Sequence, residues 1–158
     1  MYQEHLERIR DGADNVYNLH NLSGFGEKYG FQKDIINDTE RVTNLVKLAD
    51  MGMTTATMAY LLAAVATQPK FNAIYALPTS NDANKLTTTK LNPLINDSPE
   101  LRRLVDPDVN NSELKKIGKN FIFIRGSRSE TAALSISADC LVADEIDRCD
   151  PDTLRQFR

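Results

Sequence analysis

The sequence predicts an α/β fold with a mainly parallel sheet flanked by helices. Three observations predict it. Strand-like segments alternate with helical ones along most of the chain. Two of the strand-like segments run into chemically loaded sequence, KLADMGMTT at 47–55 and LVADEID at 141–147. Both loaded stretches fall at strand carboxyl ends, which is where parallel sheets bind their ligands.

The elements follow in order. Residues 1–23 are polar and read as an arm with a short helix at 3–10. The three glycines of GFGEKYG, 24–30, mark a loop. Phe31, Ile35 and Ile36 sit on one helical face of 31–41. VTNLVKL, 42–48, alternates apolar and polar residues and reads as a strand. Residues 54–67 are rich in Ala, Leu and Met and stop before Pro69, a helix. FNAIYALP, 71–78, is a strand stopped by Pro78. Ser80 is a good cap for the helix that follows. SPELRRLV, 98–105, has Ser98 as cap and Pro99 at the first helical position. DPDVNNSELKKIGKN reads as a polar connection. NFIFIRGS is a strand, SETAALSIS a short helix or turn, and ADCLVADEID a strand that is apolar until its acidic end.

Composition narrows the function classes. The 158 residues suit one domain, and 41% hydrophobic residues supply one core. A formal net charge of −3 gives the whole chain no basic signature of nucleic-acid binding. Cys140 and Cys149 have no metal-type spacing with His5 and His20 and form no disulfide framework, which favours a reducing, intracellular setting. The N-terminus, MYQEHLERIRDG, lacks the apolar core of a signal peptide. The longest apolar stretch, residues 58–66, is too short to span a bilayer, so no membrane is expected.

A phosphate loop points backbone N–H groups and a helix N-terminus at an anion. Its usual pattern, G-x-x-x-x-G-K-[ST], places a lysine on the terminal phosphates and a hydroxyl on Mg²⁺. Laid over KLADMGMT, the pattern puts Gly52 on the second glycine and Thr54 on the hydroxyl. Met53 falls on the lysine, and Lys47 on the first glycine. The loop thus keeps its turn, its hydroxyl and one cation, which comes from the opposite end. The competing reading is an ordinary strand–helix turn. About ninety residues later Asp144 and Glu145 end an apolar strand. Such a pair suits Mg²⁺ held through water by Asp144, and a water polarised by Glu145. Either feature alone is common. Together, in this order, they make the layout of an ATP-hydrolysing P-loop NTPase-type domain.

Four stretches then resemble the ATPase region of the large terminase subunit of tailed bacteriophages, over about residues 25–155. YGFQKDII resembles the adenine-contacting motif, which implies contacts from Gln32, Tyr29 and Phe31. KLADMGMTT resembles the terminase loop, with Lys47, Gly52, Met53, Thr54 and Thr55 around the phosphates. IYALPTSNDANKL resembles the second strand and helix. FIFIRGSRSETAALSISADCLVADEIDR resembles the run into the acidic strand. The resemblance implies an ATPase using ATP and Mg²⁺. Lys47 and Glu145 would be catalytic, and Thr54 and Asp144 the metal-side residues. It also implies double-stranded DNA, a portal protein and a small terminase subunit as partners, in the host cell cytoplasm.

Two departures qualify these expectations. Ala49-Asp50 stands where the family usually has Arg-Gln, so an acidic group would lie near phosphate oxygens and repel them. Either Lys47 alone carries the cation's role, or the loop is weakened. The family's ATPase domain also continues beyond the acidic strand and is followed by a nuclease domain. The expected organisation is therefore an arm at 1–23 and a truncated P-loop ATPase domain at 24–158, with the nuclease absent. Such a chain would form homo-oligomers through an unfilled sheet edge. Two other readings remain: a helicase-type nucleic-acid translocase, and a non-catalytic assembly module with a decayed nucleotide site. RGSRSE before the acidic strand, and the lack of a GKT loop, favour terminase over helicase.

Among the remaining residues, Arg125 and Arg128 are candidates for phosphate contacts or plain surface positions. Lys115, Lys116 and Lys119 read as a solvated basic face. Arg148 reads as a partner for Asp147 or Asp150, and Met51, Met53 and Met58 as packing residues.

Overall fold

The computed structural model describes residues 42–46, 52–128 and 136–157. The expected arm, the loop at 24–30, the helix at 31–41, most of the phosphate loop and the turn at 129–135 lie outside the described residues.

Helix α1, Met53–Thr67, begins directly after Gly52, whose φ of 72° is a left-handed conformation that glycine adopts without penalty. The helix is apolar on nearly every face, and so it is buried: Ala56, Met58, Ala59 and residues 61–65 are all inside. It ends because Gln68 precedes Pro69, which biases Gln68 to the extended conformation it adopts (ψ 140°). Strand β1, Ala73–Leu77, is buried at all five positions.

Helix α2, Ser80–Leu86, is capped one residue earlier than expected. Thr79, not Ser80, accepts the backbone N–H of Asp82, at 3.1 Å. It passes through a π-helical turn, Thr87–Leu91, into α3, Asn92–Asp97. The turn stands directly before Pro93, which has no N–H to donate and whose ring crowds the carbonyl four residues back. The wider turn accommodates it without breaking the rod. Helix α4, Pro99–Leu104, is capped by Ser98 as expected, with its hydroxyl accepting from Leu101 N–H.

The segment expected as a polar connection is instead a hairpin. Strand β2, Val105–Asn110, pairs antiparallel with β3, Leu114–Ile117, which pairs antiparallel with β4, Asn120–Gly126. The turn is set by Asn111, whose Oδ1 accepts from the N–H groups of Glu113 and Leu114, both at 2.9 Å. Strand β5, Cys140–Ala143, is followed by a 3₁₀ turn, Ile146–Arg148, and by helix α5, Pro151–Gln156.

The sheet order is β2-β3-β4-β1-β5, with β1 parallel to both of its neighbours. Only β3 opposes the rest, so the sheet is mainly parallel, as the alternation of elements predicts. Alternate β1 side chains serve two faces. Ala73, Tyr75 and Leu77 join Leu61, Leu62, Val65, Ile122 and Ile124 in the main core. Ile74 and Ala76 face Phe157 and Leu154 of the α5 region.

Residues 42–46 are not a strand. Val42, Leu45 and Val46 are exposed, Val46 almost completely (99%). Alternation alone does not make a strand where the apolar side chains stay exposed to water. Nor are all the lysines of the basic run solvated. Lys115 is buried, its Nζ donating to Asn110 Oδ1 at 2.6 Å and to Asn111 O at 3.2 Å. Desolvation pushes its pKa down. Lys116 pairs with Asp106 at 2.7 Å, and Lys119 is exposed.

Candidate active site

The carboxyl ends of β1, β4 and β5 converge with the N-terminus of α1. Ser127 and Arg128 continue from β4 and donate through their N–H groups to Leu77 O (2.7 Å) and Pro78 O (3.2 Å), at the end of β1. The buried Ser127 hydroxyl accepts Asp150 N–H at 2.9 Å. Gly126 makes this crossing feasible, because a side chain there would meet the backbone of Thr79 and Ser80. The β4 end, the α2 cap and the acidic loop are thereby fastened together.

Beside them lies the central contact. Asp144 N–H extends the ladder to Ala76 O at 3.0 Å, which carries the Asp144 side chain to the top of the sheet. There its Oδ2 accepts from Thr54 Oγ1 at 2.8 Å and from Tyr75 Oη at 3.1 Å. Its Oδ1 accepts from Glu145 N–H at 3.0 Å. Tyr75 Oη also stands 3.4 Å from Thr57 Oγ1, whose proton reaches Met53 O or Thr54 O in the first turn of α1. Burial, and then the charge of Asp144, push the Tyr75 phenol far above its ordinary value, so it stays protonated as a donor.

Gly52, Met53, Thr54 and Thr55 form the start of α1. The ladder begins with Ala56 N–H to Gly52 O at 3.0 Å, so the preceding N–H groups lie at the positive end of the helix. Met53 and Thr55 are half-buried. Glu145 takes a left-handed conformation (φ 52°) and its carboxylate pairs with Arg148 at 2.5 Å. Arg148 therefore engages Glu145, not Asp147 or Asp150. Its carbonyl accepts from Arg128 at 3.0 Å. Arg125 pairs with Glu113 at 2.8 Å and lies against Phe123. Met58 packs in the core, as expected. Lys47, Met51, Gln32, Tyr29 and Phe31 lie outside the described residues, as does the acidic departure at Asp50.

The donor set suits a hard cation. A hydroxyl and a carboxylate in contact, half-buried, offer oxygen ligands only. Among the described residues no group of three His, Cys, Asp or Glu could form an all-protein cage. That pattern fits Mg²⁺, which keeps waters and takes one or two protein ligands. Cys149 is buried, its thiol donating to Asp144 O at 3.5 Å, and Cys140 is half-buried with its pKa pushed up to about 11 by desolvation.

The chain matches, over residues 31–156, the family described as phage terminase large subunit gpA, ATPase domain. It belongs to that family. No curated protein matches it. Within this terminase ATPase fold, Thr54 and Asp144 are brought into contact and Glu145 stands beside them. Tyr75 is the residue that sequence reasoning missed. In AIYAL it looks like one more core aromatic, and only the strand register places its hydroxyl under Asp144. Among the described residues no helix is long and apolar enough to cross a membrane.

Proposed function

We propose that this chain carries the ATP-hydrolysing site of a viral DNA-packaging motor, coupling hydrolysis to translocation of double-stranded DNA into a capsid. The observation that carries the reading is the Thr54–Asp144 hydrogen bond of 2.8 Å, at the carboxyl edge of a mainly parallel sheet and at the head of a fifteen-residue helix. Family membership supports the ATPase class and the packaging role.

On this reading, the phosphates of ATP lie against the N–H groups of Gly52, Met53, Thr54 and Thr55. Thr54 and, through water, Asp144 would hold Mg²⁺, which would supply charge neutralisation at the phosphates. Lys47 adds the cation that Met53 cannot. Glu145 leaves Arg148 to orient the attacking water. Gln32, Tyr29 and Phe31 receive the adenine. A portal protein and a small terminase subunit are the partners that the family supports, and the host cytoplasm is the setting.

Thermal stability with and without Mg·ATP tests the reading. A ligand that binds only the folded state, present at a hundredfold excess over Kd, stabilises by about 2.7 kcal/mol. The native chain and Glu145→Gln are expected to shift, and Lys47→Ala to lose the shift. No shift in the native chain would instead support an assembly module whose loop is only a turn.

A further inference from the structure

We propose that Tyr75 is a positioning residue for the metal-side carboxylate, holding Asp144 against Thr54 on the side where a divalent cation would be held. This rests on the nucleotide-site reading above and extends it to a residue in the core.

Three observations support the assignment. Tyr75 is almost wholly buried (2% exposed), yet its hydroxyl reaches a carboxylate. Its backbone is held in place, because β1 is paired on both sides, with Ile124 across one ladder and Val142 across the other. Tyr75 belongs to the same buried core cluster as Met58, Leu61, Ile122 and Ile124. A donor on a doubly paired strand thus meets Asp144 Oδ2 at 3.1 Å, while Thr54 meets the same oxygen from the head of α1 at 2.8 Å. Thr57, one turn further along α1, stands 3.4 Å from the phenol oxygen and ties it to the helix. Phenylalanine would pack equally well at position 75. The oxygen serves the polar contact, and a buried hydroxyl without one is costly.

Partners of this kind orient ligands, and their loss typically weakens metal affinity or activity by about tenfold to a hundredfold. The test is Tyr75→Phe in the full chain, with Mn²⁺ and ADP as probes. Mn²⁺ binding is read by electron paramagnetic resonance. ADP binding is read by calorimetry, with the metal present and with chelator. Mn²⁺ affinity in the presence of ADP is expected to fall at least about tenfold, with metal-free ADP affinity unchanged. In an Asp144→Ala background the same substitution should add no further loss, which a general packing defect would not reproduce. Should Tyr75→Phe fail to fold, Thr57→Val decides, with a smaller loss in the same direction. Native-like Mn²⁺ affinity in a folded Tyr75→Phe chain overturns the assignment and leaves the nucleotide site standing. Absence of metal-dependent ADP binding in the native chain overturns both.

Discussion

Thr54 donates its hydroxyl proton to Asp144 across 2.8 Å, although ninety positions of chain separate them. The contact joins the head of α1 to the end of β5 and adds to stability whether or not nucleotide is present. Thr54→Val is expected to cost about 1–2 kcal/mol, the range for a hydrogen bond to a charged group offset by the other donors to Asp144. A double-mutant cycle with Asp144→Ala, measured by urea unfolding, should return a coupling of at least about 0.5 kcal/mol. Strict additivity would mean that the two groups do not interact in solution.

Asn120 is a buried clasp. Its Nδ2 donates to Val65 O and Gln68 O, both at 2.7 Å, and its Oδ1 accepts from Phe71 N–H at 3.0 Å. One side chain thus closes the C-terminus of α1 and fixes the start of β4. Asn120→Ala leaves two carbonyls and an amide without their partner. It is expected to cost about 3 kcal/mol or more. The urea midpoint should fall while the slope stays constant, as it does when stability alone changes.

Two glycines should respond differently to alanine. At Gly126 a Cβ would stand 2.2 Å from Ser80 N and 2.3 Å from Thr79 C, backbone atoms that cannot move aside singly. Gly126→Ala is expected to cost about 3 kcal/mol or more and to separate the β4 end from the α2 cap. Gly118 has open space around it but a φ of 60°, so Gly118→Ala costs only the left-handed penalty of roughly 1–2 kcal/mol. Comparable melting temperatures for the two variants would contradict the crowding at Gly126.

Asp150 caps α5 by accepting Thr153 N–H at 2.7 Å. That bond, with a smaller contribution from the charge of Arg128, holds its pKa below the usual carboxylate value. A carboxylate with a lowered folded pKa stabilises the protein above its unfolded pKa. The stabilisation is lost as pH falls through the folded value. Asp150→Ala should therefore melt lower than native at neutral pH, and the two curves should converge under strong acid. A gap that persists unchanged to low pH would show that ionisation of Asp150 is irrelevant.

Much of this architecture is legible in the chain, for physical reasons that differ by element. Strand β1 and most of helix α1 are apolar, so burial leaves them few alternatives. Ser98-Pro99 announces its own helix start. The β2–β3 hairpin is hidden because one of its inward positions is Lys115, whose burial depends on acceptors at Asn110 and Asn111 that no periodicity rule counts. The Asn111 turn is the signal that was available. Residues 42–46 mislead in the opposite sense, since their alternation is real but they are exposed and adopt no strand. In the candidate site, the meeting of Thr54 and Asp144 follows from their places, one in the first turn of α1 and one directly after β5. Tyr75 and the Glu145–Arg148 pair depend on register and on loop conformation, which local sequence does not encode.

The pairing of β1 has a mechanical meaning. Its ladder with β4 is parallel over five aligned positions, from Ala73–Ile122 to Leu77–Gly126. A pull along the strands loads those evenly spaced bonds together, in shear. The β2–β3 hairpin, pulled at its open end, parts one bond at a time. Tension entering at the carboxyl edge, where Asp144 and Thr54 meet, would therefore pass first into the central parallel strands, with the antiparallel hairpin on the far edge of the sheet.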